Sequence, residues 1–247
     1  MSRNKPLTVH RMTLMKYNIS TEERETAFKG DKEKMEKYKT SIYENDIMPR
    51  LFIEVLNAED ESLKSRPYRP VYDMAIACRL DMHGHSVPVT NDMLMEYDIP
   101  ADELIREAIL NSPVLNPPAF FSVTEFTGVA DNRVDMHVLT TKGVCRAASL
   151  FYPGEMERTE YKMGGGYIII PSSVCEFLIM PDDDVTLEDA KGLSEFIKET
   201  NGDESCVSYE EILSDTPYHY ANGVFEPLES YVMHQKGEKK NEQRKAN

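Results

Sequence analysis

The chain has 247 residues, enough for one sizeable hydrophobic core or two smaller ones. Apolar residues make up 40% of it, charged residues 29%, and the formal net charge is −15. A surface this acidic repels nucleic-acid phosphates and anionic lipid heads, so the composition argues against nucleic-acid and membrane partners. No stretch approaches eighteen apolar residues and the first residues lack an apolar core, so neither a membrane span nor a signal peptide is expected, and the expected location is cytoplasmic.

Along the chain, Met1–Ile19 has no strong periodicity, and Ser20-Thr21-Glu22-Glu23 reads as a capping box for a short helix closed by Gly30. Residues 1–30 are therefore expected to be a partly ordered segment, 31–232 a single α+β domain and 233–247 a disordered charged tail. Asp31–Lys39 favours helix, and Tyr43, Ile47, Met48, Leu51, Phe52, Val55 and Leu56 recur at helical spacing, with Pro49 kinking that helix or opening a new one. Pro67 and Pro70 predict an extended connection. Val71–Leu80 alternates as a strand, Gly84 turns it, and Ser86–Val89 returns. Asn91–Glu96 predicts a short helix. Pro100–Leu110 predicts a longer one, carrying Leu104, Ile105, Ala108 and Ile109 on its apolar stripe, with Pro113 forbidding continuation.

Phe120–Val129 leans towards strand, and Val134–Thr141 alternates. Lys142-Gly143 predicts a hairpin returning through Val144–Phe151. Pro153–Met163 suits a helix ended by Gly164-Gly165-Gly166. Tyr167–Ile170 is an apolar strand broken at Pro171, Val174–Met180 resumes the pattern, and Pro181-Asp182-Asp183-Asp184 turns. Thr186 caps a helix to about Thr200 with Leu187, Ala190, Leu193 and Ile197 inward, and Ser208-Tyr209-Glu210-Glu211 opens another turn. The stretches from Ile99 to Asn111 and from Val185 to Asn201 rhyme, through a duplicated module or through shared capping chemistry. The pattern predicts an α+β fold: a mixed, mostly antiparallel sheet with helices packed on one face.

Three motifs touch chemistry. Asp81, His83 and His85 have metal-ligand spacing, but Gly84 between the histidines points to a solvated turn. Gly164-Gly165-Gly166 precedes a strand rather than a helix, with no Lys-Ser or Lys-Thr after it, so it is no phosphate loop. Pro171-Ser172-Ser173-Val174-Cys175-Glu176 gathers two hydroxyls, a thiol and a carboxylate; Ser172, Ser173, Cys175 and Glu176 are the candidate catalytic residues, needing His137 or His219 as base. The structural alternative is that the serines cap backbone and Cys175 packs. Cys78, Cys145, Cys175 and Cys206 form no C-x-x-C pair and read as reduced, mostly buried thiols. The basic excess in Lys236–Lys245 reads as solvated. No cofactor and no metal are expected.

From about Tyr38 to Tyr220 the chain resembles a bacterial family catalogued as a domain of unknown function. The resemblance rests on Leu139-Thr140-Thr141 with Gly143, Leu150–Gly154 ending in Tyr-Pro-Gly, and Ile170-Pro171-Ser172-Ser173-Val174-Cys175-Glu176. Glu199-Thr200-Asn201 and Ile212-Leu213-Ser214-Asp215 with Tyr218-His219-Tyr220 complete it. Where the family pattern has Ile-His-Glu, this chain has Val174-Cys175-Glu176. The resemblance implies a cytosolic bacterial protein of mixed structure, associated with mobile DNA, and supplies no activity. The expected function is therefore that of a non-enzymatic accessory or regulatory protein with a protein partner. A hydrolase-like enzyme centred on Pro171–Glu176 and an acidic nucleic-acid mimic are the rivals.

Overall fold

The computed structural model describes residues 47–127, 135–142 and 147–235. The capping box at residue 20, the helix-favouring run before residue 40, Cys145 and the basic tail lie outside them. The chain is a mixed α+β protein with antiparallel sheets, as expected, and it divides after Pro117 into two compact units. None of the described helices is long and apolar enough to cross a membrane.

The first unit is built on β1 (Leu51–Asn57), β2 (Tyr68–Val71), β3 (Met74–Asp81) and β4 (Ser86–Pro88). β3 is central, with β1 antiparallel on one side and β2 and β4 along the other. The helical spacing read from Tyr43 to Leu56 is thus corrected: Pro49 sits in a short 3-10 turn, Met48–Arg50, and the chain then enters β1. The cause is burial on both faces. Leu51, Ile53 and Val55 share one face with Met74, Ile76, Cys78 and Leu80, while Phe52, Glu54 and Leu56 share the other with Ala75, Ala77 and Arg79. A strand covered on both sides shows no polar alternation, and a short apolar run then fits a helical template as well.

Helix α1 (Asn91–Tyr97) is capped by Thr90, whose hydroxyl accepts from the Met93 amide. Helix α2 (Ala101–Leu115) packs chiefly on β1 through Leu104, Ile105 and Ala108. It runs through Pro113, contrary to the expected stop at Leu110. Proline removes one amide from the ladder, at a cost of about 3 kcal/mol in a helix interior. Here the last turn is anchored elsewhere: Ser112 Oγ donates to the Ala108 carbonyl at 2.5 Å and accepts the Ile53 amide at 2.9 Å, and Asn111 donates to the Met48 carbonyl at 2.7 Å. Ser112→Ala strands the buried Ile53 amide and is expected to cost about 1–3 kcal/mol, read as a lower urea midpoint at unchanged slope. An unmoved midpoint would show that the helix end is held without it.

The second unit carries β5 (Pro118–Ser122), β6 (His137–Thr141), β7 (Tyr167–Ser173), β8 (Glu176–Pro181), β9 (Tyr218–Ala221) and β10 (Val224–Pro227). They form one antiparallel sheet in the order β10-β9-β7-β8-β6-β5. Helix α3 (Val123–Thr127) follows β5 where strand was expected. Ala147–Phe151, expected as the return of a hairpin, is a 3-10 turn whose Ala147 amide bonds the Val174 carbonyl. Its near-complete burial explains the strand-like apolar composition. β7 does not break at Pro171, because β9 pairs only Tyr167–Ile169 and a bulge follows between Pro171 and Ser173. The missing amide therefore falls where no ladder bond is needed.

Helix α4 (Glu155–Met163) ends at Gly164, whose φ of 80° is the left-handed conformation that glycine adopts without strain. Helix α5 (Leu187–Asn201) opens with a capping box between Thr186 and Asp189. Its Ala190 and Ile197 pack with Ile168, Ile170 and with Leu228 and Val232 of the helix at 228–235. On the other face, Phe151 meets Phe177 and Phe225 edge-on at 6.2 and 5.9 Å. The rhyming stretches at Ile99 and Val185 both lead into helices of 15 residues, but α2 follows a helix and has no side-chain cap, whereas α5 follows a strand and a turn.

Candidate functional site

Three places gather chemically capable side chains. The first is the β3–β4 connection. His83 and Gly84 both have positive φ, and the Met82 amide bonds the His85 carbonyl at 2.8 Å, which closes a tight turn. The Asp81 carboxylate accepts the His83 amide at 3.1 Å. Among the described residues, no group of three or more His, Cys, Asp or Glu side chains is placed to hold a metal ion.

The second is the β7–β8 hairpin. Ser172 Oγ donates to Glu176 Oε1 at 3.3 Å, Ser173 Oγ accepts the Cys175 amide at 3.0 Å, and Thr140 Oγ1 donates to the Cys175 carbonyl at 2.7 Å. The Val174 amide bonds the Glu211 carbonyl. Ser173 and Glu176 are fully buried and Cys175 nearly so. The four candidate residues thus form two pairs within the hairpin, Ser172 with Glu176 and Ser173 with Cys175, while the backbone of Val174 and Cys175 ties the hairpin to β6, to the turn at Ala147 and to the turn at Glu211. The imidazoles lie elsewhere in the register. His137 is opposite Ile179, four residues along β8 from Cys175, which is roughly 13 Å of strand. It stacks on Phe120 at 4.8 Å, with Asp135 3.6 Å from Nδ1. His219 is opposite Ile168, five residues before Ser173 on β7. Burial pushes the Cys78 thiol up to about 12, which keeps it protonated and unreactive at neutral pH.

The third cluster was not assembled from sequence. The turn after β8 brings Asp182 to His219 on β9, with Oδ2 2.8 Å from Nε2. The same oxygen accepts the Tyr231 hydroxyl at 3.2 Å, and the Tyr231 ring lies over the imidazole with centroids 3.4 Å apart and planes 11° from parallel. His234 Nδ1 is 3.0 Å from Glu226 Oε2, and Glu226 is opposite His219 in the sheet. Gly166 makes the approach sterically feasible: a Cβ there would stand 2.7 Å from Asp182 Oδ2 and 3.2 Å from His219 Nε2. His219 is 1% exposed, and burial holds it below its ordinary value of 6.5 against the opposing pull of Asp182, Glu226 and Glu160. A neutral ring bonded in this way carries its proton on Nε2 and donates it to Asp182. The residues joined by these contacts are carboxylates, imidazoles and a phenol, with no serine, threonine or cysteine among them. The cluster is chemically a clamp between sheet and helix. Its sequence signal, an acidic turn and a histidine between tyrosines 37 residues apart, contains nothing that pairs them.

Sequence comparison brings a family and no relative of known activity. No curated protein and no solved structure matches the chain. The model of a family of unknown function does, over residues 8–222, which include the β7–β8 hairpin and both Asp182 and His219. The chain therefore belongs to that family, DUF5688.

Proposed function

We propose that this chain works by binding another protein rather than by turning over a substrate, and that the outer face of α2 carries the contact. The observation behind this reading is a pair of apolar side chains one helical turn apart, Leu110 at 54% and Val114 at 80% exposure. Glu103 and Glu107 continue the same stripe towards the N-terminus of the helix. A helix that already buries Leu104, Ile105 and Ala108 gains no fold stability from a second apolar stripe. Apolar anchors beside acids suit a partner surface that sets apolar side chains beside lysine or arginine, and the net charge of −15 favours a basic partner generally.

The hydrolase reading has less support, because Ser173 and Glu176 are fully buried and the register separates Cys175 from His137 and His219. The test is capture of the tagged full chain from its native cells, beside a Leu110→Asp/Val114→Asp variant. Exposed substitutions of this kind change stability by about 0.5 kcal/mol or less. The expected result is a stoichiometric partner retained by the parent, weakened at least tenfold in the variant and weakened by salt, with unchanged circular dichroism. Equal capture by both chains would remove α2 from the reading.

A further inference from the structure

We propose that Asp182, His219 and Tyr231 form an acid-sensitive latch that frees the helix at 228–235 from its sheet when the His219 ring becomes doubly protonated. The helix is held in two ways. Leu228 and Val232 enter the apolar cluster with Ile168, Ile170, Ala190 and Ile197. Tyr231 supplies the polar part, with its ring on His219 and its hydroxyl on Asp182. Asp182 and His219 meet because Gly166 has no side chain.

The charged groups that face the imidazole are Asp182 from the turn after β8, Glu226 from β10 and Glu160 from α4, with His234 reaching the group indirectly through Glu226. The three acids favour a cationic ring, as does the face of Tyr231. Against them stands burial: the ring is 1% exposed and sealed beneath the phenol, while the Asp182 side chain is 24% exposed and its field is weakened by water. Burial is the larger effect and leaves His219 below 6.5. The docked helix therefore binds fewer protons than the released one. Docking is fully favoured above the ordinary histidine value and weakens as pH falls through it towards the lower value of the docked state. His234 is 72% exposed, so water screens its contact with Glu226.

The test is hydrogen exchange by mass spectrometry on the full chain at pH 7.5 and 5.0. Rates are corrected for intrinsic pH dependence, and opening at 228–235 is divided by opening within α5. The parent ratio is expected to rise several-fold at pH 5.0. His219→Phe, which keeps a stacked ring that cannot titrate, is expected to hold it constant, and His234→Gln to leave the parental rise intact. Gly166→Ala displaces Asp182 and is expected to raise the ratio already at pH 7.5. A flat parental ratio, the same rise in His219→Phe, or an unaltered Gly166→Ala would each overturn the latch. Should His219→Phe fail to fold, the ring-proton titration of His219 in the parent decides: a midpoint below 6.5 that tracks helix opening supports the latch, and one above 6.5 overturns it.

Discussion

Glu54→Ala is expected to cost about 3–5 kcal/mol, the range for removing one partner of a buried ion pair. Glu54 lies on β1 and is almost completely buried, as are the two cations that meet it, Arg66 and Arg79. Arg66 Nη2 bonds Oε1, and Arg79 Nη1 reaches both oxygens at 3.2 and 3.3 Å. Each guanidinium has other acceptors: Arg66 the Cys78 carbonyl at 2.9 Å, Arg79 the hydroxyl and carbonyl of Ser86, each at 2.8 Å. Those acceptors are neutral. They fix the forks in place but carry no charge to replace that of the carboxylate. Without the carboxylate, the charges repel across a space that the alanine side chain does not fill.

A loss of this size is a large share of a stability of about 5–15 kcal/mol. The check is urea unfolding of Glu54→Ala beside Glu54→Gln, which keeps the volume and one acceptor and should lose less. Protection of the β1 and β3 amides should fall with the midpoint. A loss below about 1 kcal/mol would mean that water reaches the guanidiniums and that the pair behaves like a surface salt bridge.

How far this architecture was legible in the sequence depends on what each residue's signal measures. Thr186 with Asp189, Gly164 after Met163 and Gly84 between two strands are local devices, and each occurs where local chemistry places it. β1 misreads as helix because its burial on both faces is a property of what packs on it, not of its own pattern. Pro113 and Pro171 look like stops because proline forbids a hydrogen bond, but a bond can be missing harmlessly where a serine anchors the helix end or a neighbouring strand has already ended. The glycine run shows the limit most clearly. Gly164 ends a helix and is readable as such, whereas Gly166 admits a carboxylate from 16 residues away in sequence, which no local rule reports. The family resemblance identified Pro171–Glu176 and Tyr218–Tyr220 as recurrent without saying what they touch. One set closes a hairpin and the other delivers His219 to Asp182.

Phe177→Ala is expected to cost about 3–5 kcal/mol, as large aromatic truncations in a core do. Phe177 is fully buried on β8, opposite Pro171 on one side and Leu139 on the other, and edge-on to Phe151. The cost of such a change depends on whether the surroundings collapse into the void. Pro171 is held by its ring and by the bulge that follows it, and Phe151 is also engaged with Phe225, so neither moves in readily. The cavity therefore persists and adds to the lost transfer energy. Since about 1.4 kcal/mol is a factor of ten, the most protected amides of β7 and β8 should exchange more than a hundredfold faster. Because the chain divides after Pro117, the same experiment carries its own control. If the two units open independently, β1 and β3 keep their protection in Phe177→Ala and lose it in Glu54→Ala. If both variants release both sheets together, the units unfold as one cooperative body.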